Sequence, residues 1–208
     1  MDEVFRHALY GIAAELQLLA FEADADSLYE ADLRSATRRA LQIHLGQKVV
    51  IEAKASLPNW KAKTGRFDIG VRKQSGNGYD ALAELKLWRD KGKSAEAAWD
   101  AWKLASAYRH ELAWNVYLIA AGKESLWGEY PGTELFSDGV AKAAESWSRY
   151  QAWFDQWTTP TSGPINLPAG LKTHALERIP IHVADGEPWL VACARVTTTP
   201  GPPWAVPG

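Results

Sequence analysis

The chain has a single cysteine among its 208 residues, Cys193, so no internal disulfide can form. A lone thiol favours a reducing compartment, and a cytoplasmic location is the expectation. Long hydrophobic runs are missing too: nothing approaches the roughly 18 apolar residues of a membrane helix. The Met-Asp-Glu-Val start lacks the cationic stretch of a secretion signal, and no membrane partner is expected. Neither sign of charge is in clear excess, with 23 Lys+Arg against 25 Asp+Glu and a formal net charge of -2. Taken whole, that balance argues against a dedicated nucleic-acid binder. There is no phosphate-binding loop, no Gly-x-Ser-x-Gly turn and no internal repeat, and the five His show no metal-ligand spacing.

What is present is an ordinary globular composition, 47% hydrophobic and 23% charged. The length suits one domain with a sizeable core. The charge is unevenly spread. Residues 48–93 hold 11 Lys/Arg and 5 Asp/Glu, a net +6, between two flanks of net -4 each. A basic middle of this kind is either a solvated face or an anion-attracting surface.

Apolar residues at Val4, Leu9, Ile12, Leu16 and Leu19 predict a helix over residues 3–20. A second amphipathic helix is expected over 27–45, with Ser27 as N-cap, Glu30 at the capping-box position and Gly46 as the stop. Three strands follow. In 48–56, Val49, Ile51 and Ala53 alternate with Glu52 and Lys54. In 65–73, Phe67, Ile69 and Val71 share one face, with Asp68 and Gly70 on the other. Ser75-Gly76-Asn77-Gly78 is a turn, and in 79–88 Ala83, Leu85 and Leu87 oppose Glu84 and Lys86. A third helix is expected over 94–112. Residues 113–121, with only Asn115 polar, suit a strand covered on both faces. A fourth helix over 138–157, a Pro-containing loop over 158–170 and a final pair of strands over 171–183 and 188–197 complete the order.

The informative residues are Asp68, Glu84 and Lys86. Strand alternation puts Glu84 and Lys86 on one face, and pairing through the Gly-rich turn brings Asp68 beside them. Two converging carboxylates suit a hard divalent cation such as Mg²⁺. A Lys beside that cation and a phosphate can orient a water or stabilise developing charge, which together serve phosphodiester hydrolysis. The plain alternative is an exposed Glu/Lys strand face.

On these residues the chain resembles the PD-(D/E)XK, or restriction-endonuclease-like, nuclease superfamily. The matching pieces are Arg66-Phe67-Asp68-Ile69-Gly70 on one strand and Ala83-Glu84-Leu85-Lys86-Leu87-Trp88 on the next. Phe67 departs from the Pro of the family pattern. The order of elements, a hairpin-rich set of strands enclosed by helices, is that of an α/β (α+β layered) fold, and the resemblance makes it more specific. Its core would run helix-strand-strand-strand-helix-strand over 27–121, with a central mixed sheet flanked by helices. The C-terminal helix and strands over 122–197 would elaborate a single domain, 1–197, followed by a Pro/Gly-rich tail, 198–208. It further implies that Asp68 and Glu84 bind Mg²⁺, with Mn²⁺ as a substitute, that Lys86 serves the attacking water, and that Glu30, or failing it Asp32, adds an acid from the preceding helix. The substrate it implies is DNA.

Several neighbours carry two readings. Asp100 and Lys103 form either an exposed intrahelical ion pair or a further contact to the site, with Lys103 on a phosphate. Arg89, Lys91 and Lys93 follow the motif and suit contacts to the nucleic-acid backbone. Trp147, Tyr150, Phe154 and Trp157 make a stripe that packs in the core or offers a platform for bases, a partner protein or a second copy of the chain. His44 and His110 sit near helix ends, where a favourable dipole contact is expected. Cys193 reads as a small core residue. A non-catalytic nucleic-acid- or protein-binding module on the same fold is the alternative to an enzyme.

Overall fold

Hydrophobic spacing organises the chain into helices that cover both faces of one sheet. The structure, a computed structural model, describes residues 1–23, 28–55, 65–88, 96–127, 133–136, 171–182 and 186–198. Two helices come first, α1 (Asp2–Ala23) and α2 (Glu30–Leu45). Strands β1 (Val49–Ala55), β2 (Gly65–Arg72) and β3 (Tyr79–Trp88) follow, then α3 (Glu96–Arg109), β4 (Asn115–Lys123), β5 (Lys172–Ile181) and β6 (Trp189–Thr197). The six strands form a mixed sheet in the order β1-β2-β3-β4-β6-β5. Among the described residues only β3 and β4 pair in parallel, as a strand–helix–strand crossover through α3 requires.

α1 and α2 pack on one face of the sheet, where Leu9, Ile12, Leu16, Leu33 and Leu41 meet Ile69, Ala83, Leu85 and Ile119. α3 covers the other, where Ala101, Leu104 and Ala105 meet Leu82, Trp88, Val116 and Leu118. Each fully buried Leu or Ile contributes about 1.5–3 kcal/mol relative to exposure. β4 lies between the two cores: Tyr117, Ile119 and Ala121 face one, Val116, Leu118 and Ala120 the other. The apolar run that suggested a doubly covered strand therefore has that environment. Cys193 is fully buried on β6. No helix among the described residues is long and apolar enough to cross a membrane.

Four expectations are corrected in detail. Ser27 lies outside the described residues. The N-cap of α2 is Tyr29, and the acid that closes back on it is Asp32, which accepts the Tyr29 N–H at 2.7 Å. Glu30 is thereby freed from the capping role. Second, Phe67 does not share a core with Ile69 and Val71: it packs with Ala53 under α3, whereas they pack with Val49 under α1 and α2. Ile51 is correspondingly left half out of the core, 45% exposed. The two strands turn over together at Glu52, whose φ of +50° is a left-handed conformation inside a strand. Third, α3 ends earlier than expected, just before Glu111, which is also left-handed at φ +56°. Fourth, burial and then the Arg109 charge lower the pKa of His110, which favours the neutral ring over a charged contact with the helix end. The expected fourth helix, 138–157, with its stripe of Trp147, Tyr150, Phe154 and Trp157, the loop 158–170 and the tail beyond residue 198 lie outside the described residues.

At the far edge, β5 pairs with β6 through a register shift between Ala175 and Glu177 and carries Pro180.

Candidate active site

The β2–β3 ladder runs from the Gly76–Gly78 turn as far as Ile69↔Ala83. Beyond that pair the Asp68 side chain stands in for strand backbone: its carboxylate accepts the Leu85 N–H at 2.9 Å. This places Asp68 between the positions of Glu84 and Lys86. Its other oxygen meets Arg34 of α2 at 2.9 Å. Arg34 also reaches Glu30 at 3.6 Å and Glu52 at 3.8 Å, so one guanidinium gathers acids from α2, β1 and β2.

Glu84 and Lys86 point from β3 toward α3, as their alternation with Ala83, Leu85 and Leu87 dictates. They meet Lys103 and Asp100 there. Lys86 Nζ lies 2.9 Å from Asp100 and 3.2 Å from Glu96. Lys103 pairs with Glu84, donates to the Arg66 carbonyl at 2.9 Å, and stands over the Phe67 ring at 5.1 Å. Asp100 and Lys103 are one helical turn apart, matching the two-residue step of the strand. The result is four charges of alternating sign, all nearly removed from water. The exposed intrahelical pair is thus not what forms: each of the two helix residues pairs with a residue of opposite sign on the strand.

Burial is the largest influence on the acids. It pushes the Glu84 carboxyl well above its ordinary value, and the nearby charges of Asp100 and Asp68 push the same way against the opposing pull of Lys103. Asp100 is raised as well, by burial first, with Lys86 and Lys103 opposing and Asp68 adding to the rise. For Lys86 burial disfavours the ammonium, but the charge and hydrogen bond of Asp100, with Glu96 and Glu30 behind them, outweigh it and hold the pKa above the usual lysine value. Glu30, half-buried at the rim, is raised by burial and feels Lys86, Asp68, Arg34 and Asp100.

The structure therefore brings Asp68, Glu84, Lys86 and Lys103 into one cluster, with Glu30 at its edge. Asp32 is occupied at the helix N-terminus. Arg89, Lys91 and Lys93 lie outside the described residues. Three participants were not singled out from the sequence. Glu96 and Glu52 carry no letter-level signal, whereas the four-residue spacing of Glu30 and Arg34 on a helix is one.

No set of three or more His, Cys, Asp or Glu among the described residues is arranged to hold a metal ion. The donor chemistry is nonetheless that of a hard cation: Asp68 and Glu84 supply oxygens from adjacent strands, and the Asp68 charge adds to the cost of ionising Glu84. Lys103 and Arg34 neutralise these carboxylates. For a divalent cation to take these oxygens, the Lys103 ammonium would have to give way at Glu84. No family model matches the chain, and neither the curated proteins nor the solved structures provide a match.

Proposed function

We propose that the chain is a Mg²⁺-dependent nuclease of the restriction-endonuclease-like kind, hydrolysing phosphodiester bonds in DNA. The observation that carries this reading is the meeting of Asp68, Glu84 and Lys86 where β2 parts from β3, with Glu84 and Lys86 buried against α3 and Asp68 turned to Arg34 of α2. The order α2-β1-β2-β3-α3-β4 supports it, since the resemblance implies that core.

Asp68 and Glu84 would hold the cation, which supplies Lewis-acid activation of the phosphate and of a water when bound. Lys86 acts as a fixed positive charge. Its raised pKa makes it a poor proton acceptor near neutrality, so it orients the attacking water and stabilises charge developing on the phosphate. Asp100 and Glu96 keep its ammonium in place. Lys103, once displaced from Glu84, is positioned to meet a phosphate oxygen. The test is incubation of the purified chain with duplex DNA, single-stranded DNA and RNA, each with Mg²⁺, Mn²⁺ or a chelator. Metal-dependent cleavage that disappears in Lys86→Ala is expected, and absence of cleavage on every substrate overturns the reading.

A second reading, a binding module without turnover, is favoured by one observation: Arg34 and Lys103 already neutralise Asp68 and Glu84 without a metal. Calorimetry separates the two. Mg²⁺ binding that is lost in Glu84→Gln supports the nuclease. No Mg²⁺ uptake beside intact nucleic-acid or protein binding supports the module.

A further inference from the structure

Toward the hairpin end of β2 and β3, on the same side of the sheet as α3, lies an open cleft of about 480 Å³. Lys54 of β1 and Arg72 and Lys73 at the end of β2 line one side of it, and Glu111 and Leu112, just past α3, line the other. Tyr79 forms part of the lining between them. Its ring packs where a Gly70 side chain would otherwise sit, and its hydroxyl donates to the Lys54 carbonyl at 3.2 Å. Among the described residues Lys54, Arg72 and Lys73 form no ion pair, in contrast to Arg34, Lys86 and Lys103 in the cluster.

The Lys54 end of the cleft is the end nearer the cluster. Lys54 pairs with Arg66 across β1 and β2, and the Arg66 carbonyl is the acceptor for Lys103. From Arg66 to Arg72 the strand covers roughly 20 Å. A duplex strand presents a phosphate about every 3.4 Å of its axis, so a track of this length offers several phosphates to three free cations. Glu111 on the facing wall repels the same phosphates and confines the backbone to the basic side.

We propose that this cleft is a backbone-binding track for a nucleic-acid strand, leading to the cluster of Asp68, Glu84 and Lys86. The inference rests on the nuclease reading for where the strand goes, but the track binds whether or not the strand is cut. It contacts phosphates rather than bases, so it provides affinity without sequence preference.

The test uses the full chain and labelled duplex DNA, single-stranded DNA and RNA of one sequence, with binding measured by fluorescence anisotropy in chelator at several salt concentrations. In the triple variant Lys54→Gln/Arg72→Gln/Lys73→Gln the dissociation constant is expected to rise about tenfold or more. The slope of log affinity against log salt should become shallower by about two to three, close to one per cation removed. Glu111→Gln should tighten binding, a gain that a misfolded variant cannot mimic. Unchanged affinity and slope in the triple variant, or no binding of any of the three strands by the parent, overturns the track. The strand form that responds most identifies the ligand. Binding that follows these expectations in a protein that cleaves nothing retains the track and discards the nuclease. Cleavage with unaltered binding in the triple variant does the reverse.

Discussion

Lys86 and Asp100 lie 2.9 Å apart with side chains only 11% and 6% exposed. The pair joins the strand that carries the motif to the helix that covers it, and each member is the other's principal compensation for leaving water. Removing one partner of such a pair strands a buried charge, at a cost of about 3–5 kcal/mol. Lys86→Met and Asp100→Asn should each lower unfolding free energy on about that scale. The double variant should lose less than the sum, with a coupling of about 1–3 kcal/mol by urea denaturation. Strict additivity would mean that the two groups do not interact in solution.

Asp68 has two separable tasks. Asp68→Asn keeps an oxygen for the Leu85 N–H and discards the charge that faces Arg34. Stability should fall by only about 1 kcal/mol. Plasmid cleavage should fall about a hundredfold or more, the scale on which a charge aimed at a reacting centre acts. If the variant cuts at the parent rate, Asp68 is a structural acceptor and nothing else.

The buried acids give a pH dependence of definite sign. Glu84 and Asp100 are raised above their ordinary values of 4.5 and 3.8, chiefly by burial. The folded chain therefore retains protons that the unfolded chain has released, and these groups make stability fall as pH climbs from those values toward their folded ones. Glu84→Gln removes one of these titrations. Its Tm should change less than the parent's between about pH 4 and 7. Parallel Tm profiles for the two proteins over that window would exclude Glu84 as a titrating group.

Gly70 has no room for a side chain. A Cβ there would lie 2.5 Å from the Ala53 Cβ and 2.7 Å from the Tyr79 ring. Gly70→Ala should cost about 1–3 kcal/mol by overpacking. It should also loosen Tyr79, seen as a change in tyrosine fluorescence or in the aromatic NMR signals. A variant as stable as the parent would show that the two strands separate more readily than their packing implies.

The succession of β1, β2 and β3 along the chain and the charged face of β3 were legible because a period of two survives in the letters: Ala83, Leu85 and Leu87 against Glu84 and Lys86. β4 was legible because a strand covered on both faces has little polar material to offer. The turning of β1 and β2 was not. It depends on a left-handed glutamate, Glu52, and a non-glycine residue gives no local sign of that conformation. The burial of Asp100 and Lys103 was hidden for another reason. Helical spacing put them on one side of α3, but the close approach of that helix comes from the small residues Ala97, Ala101 and Ala105 packed on the sheet. Arg34 shows only its Glu30 partner in the letters, because Glu52 and Asp68 come from two other elements that only the folded chain brings to it.

The kink at Glu52 bears also on what the rims of the sheet offer to a further strand. A six-stranded open sheet ends in two rows of backbone donors and acceptors, which invite a further strand. β1 ends one side, with a left-handed break and an exposed charge in mid-strand. β5 ends the other, with a register slip after Ala175 and a proline at position 180 that has no N–H to give. Among the described residues, neither rim offers a straight template. The irregularity that turns Phe67 toward α3 thus helps to guard the molecule against growing into fibres one sheet edge at a time.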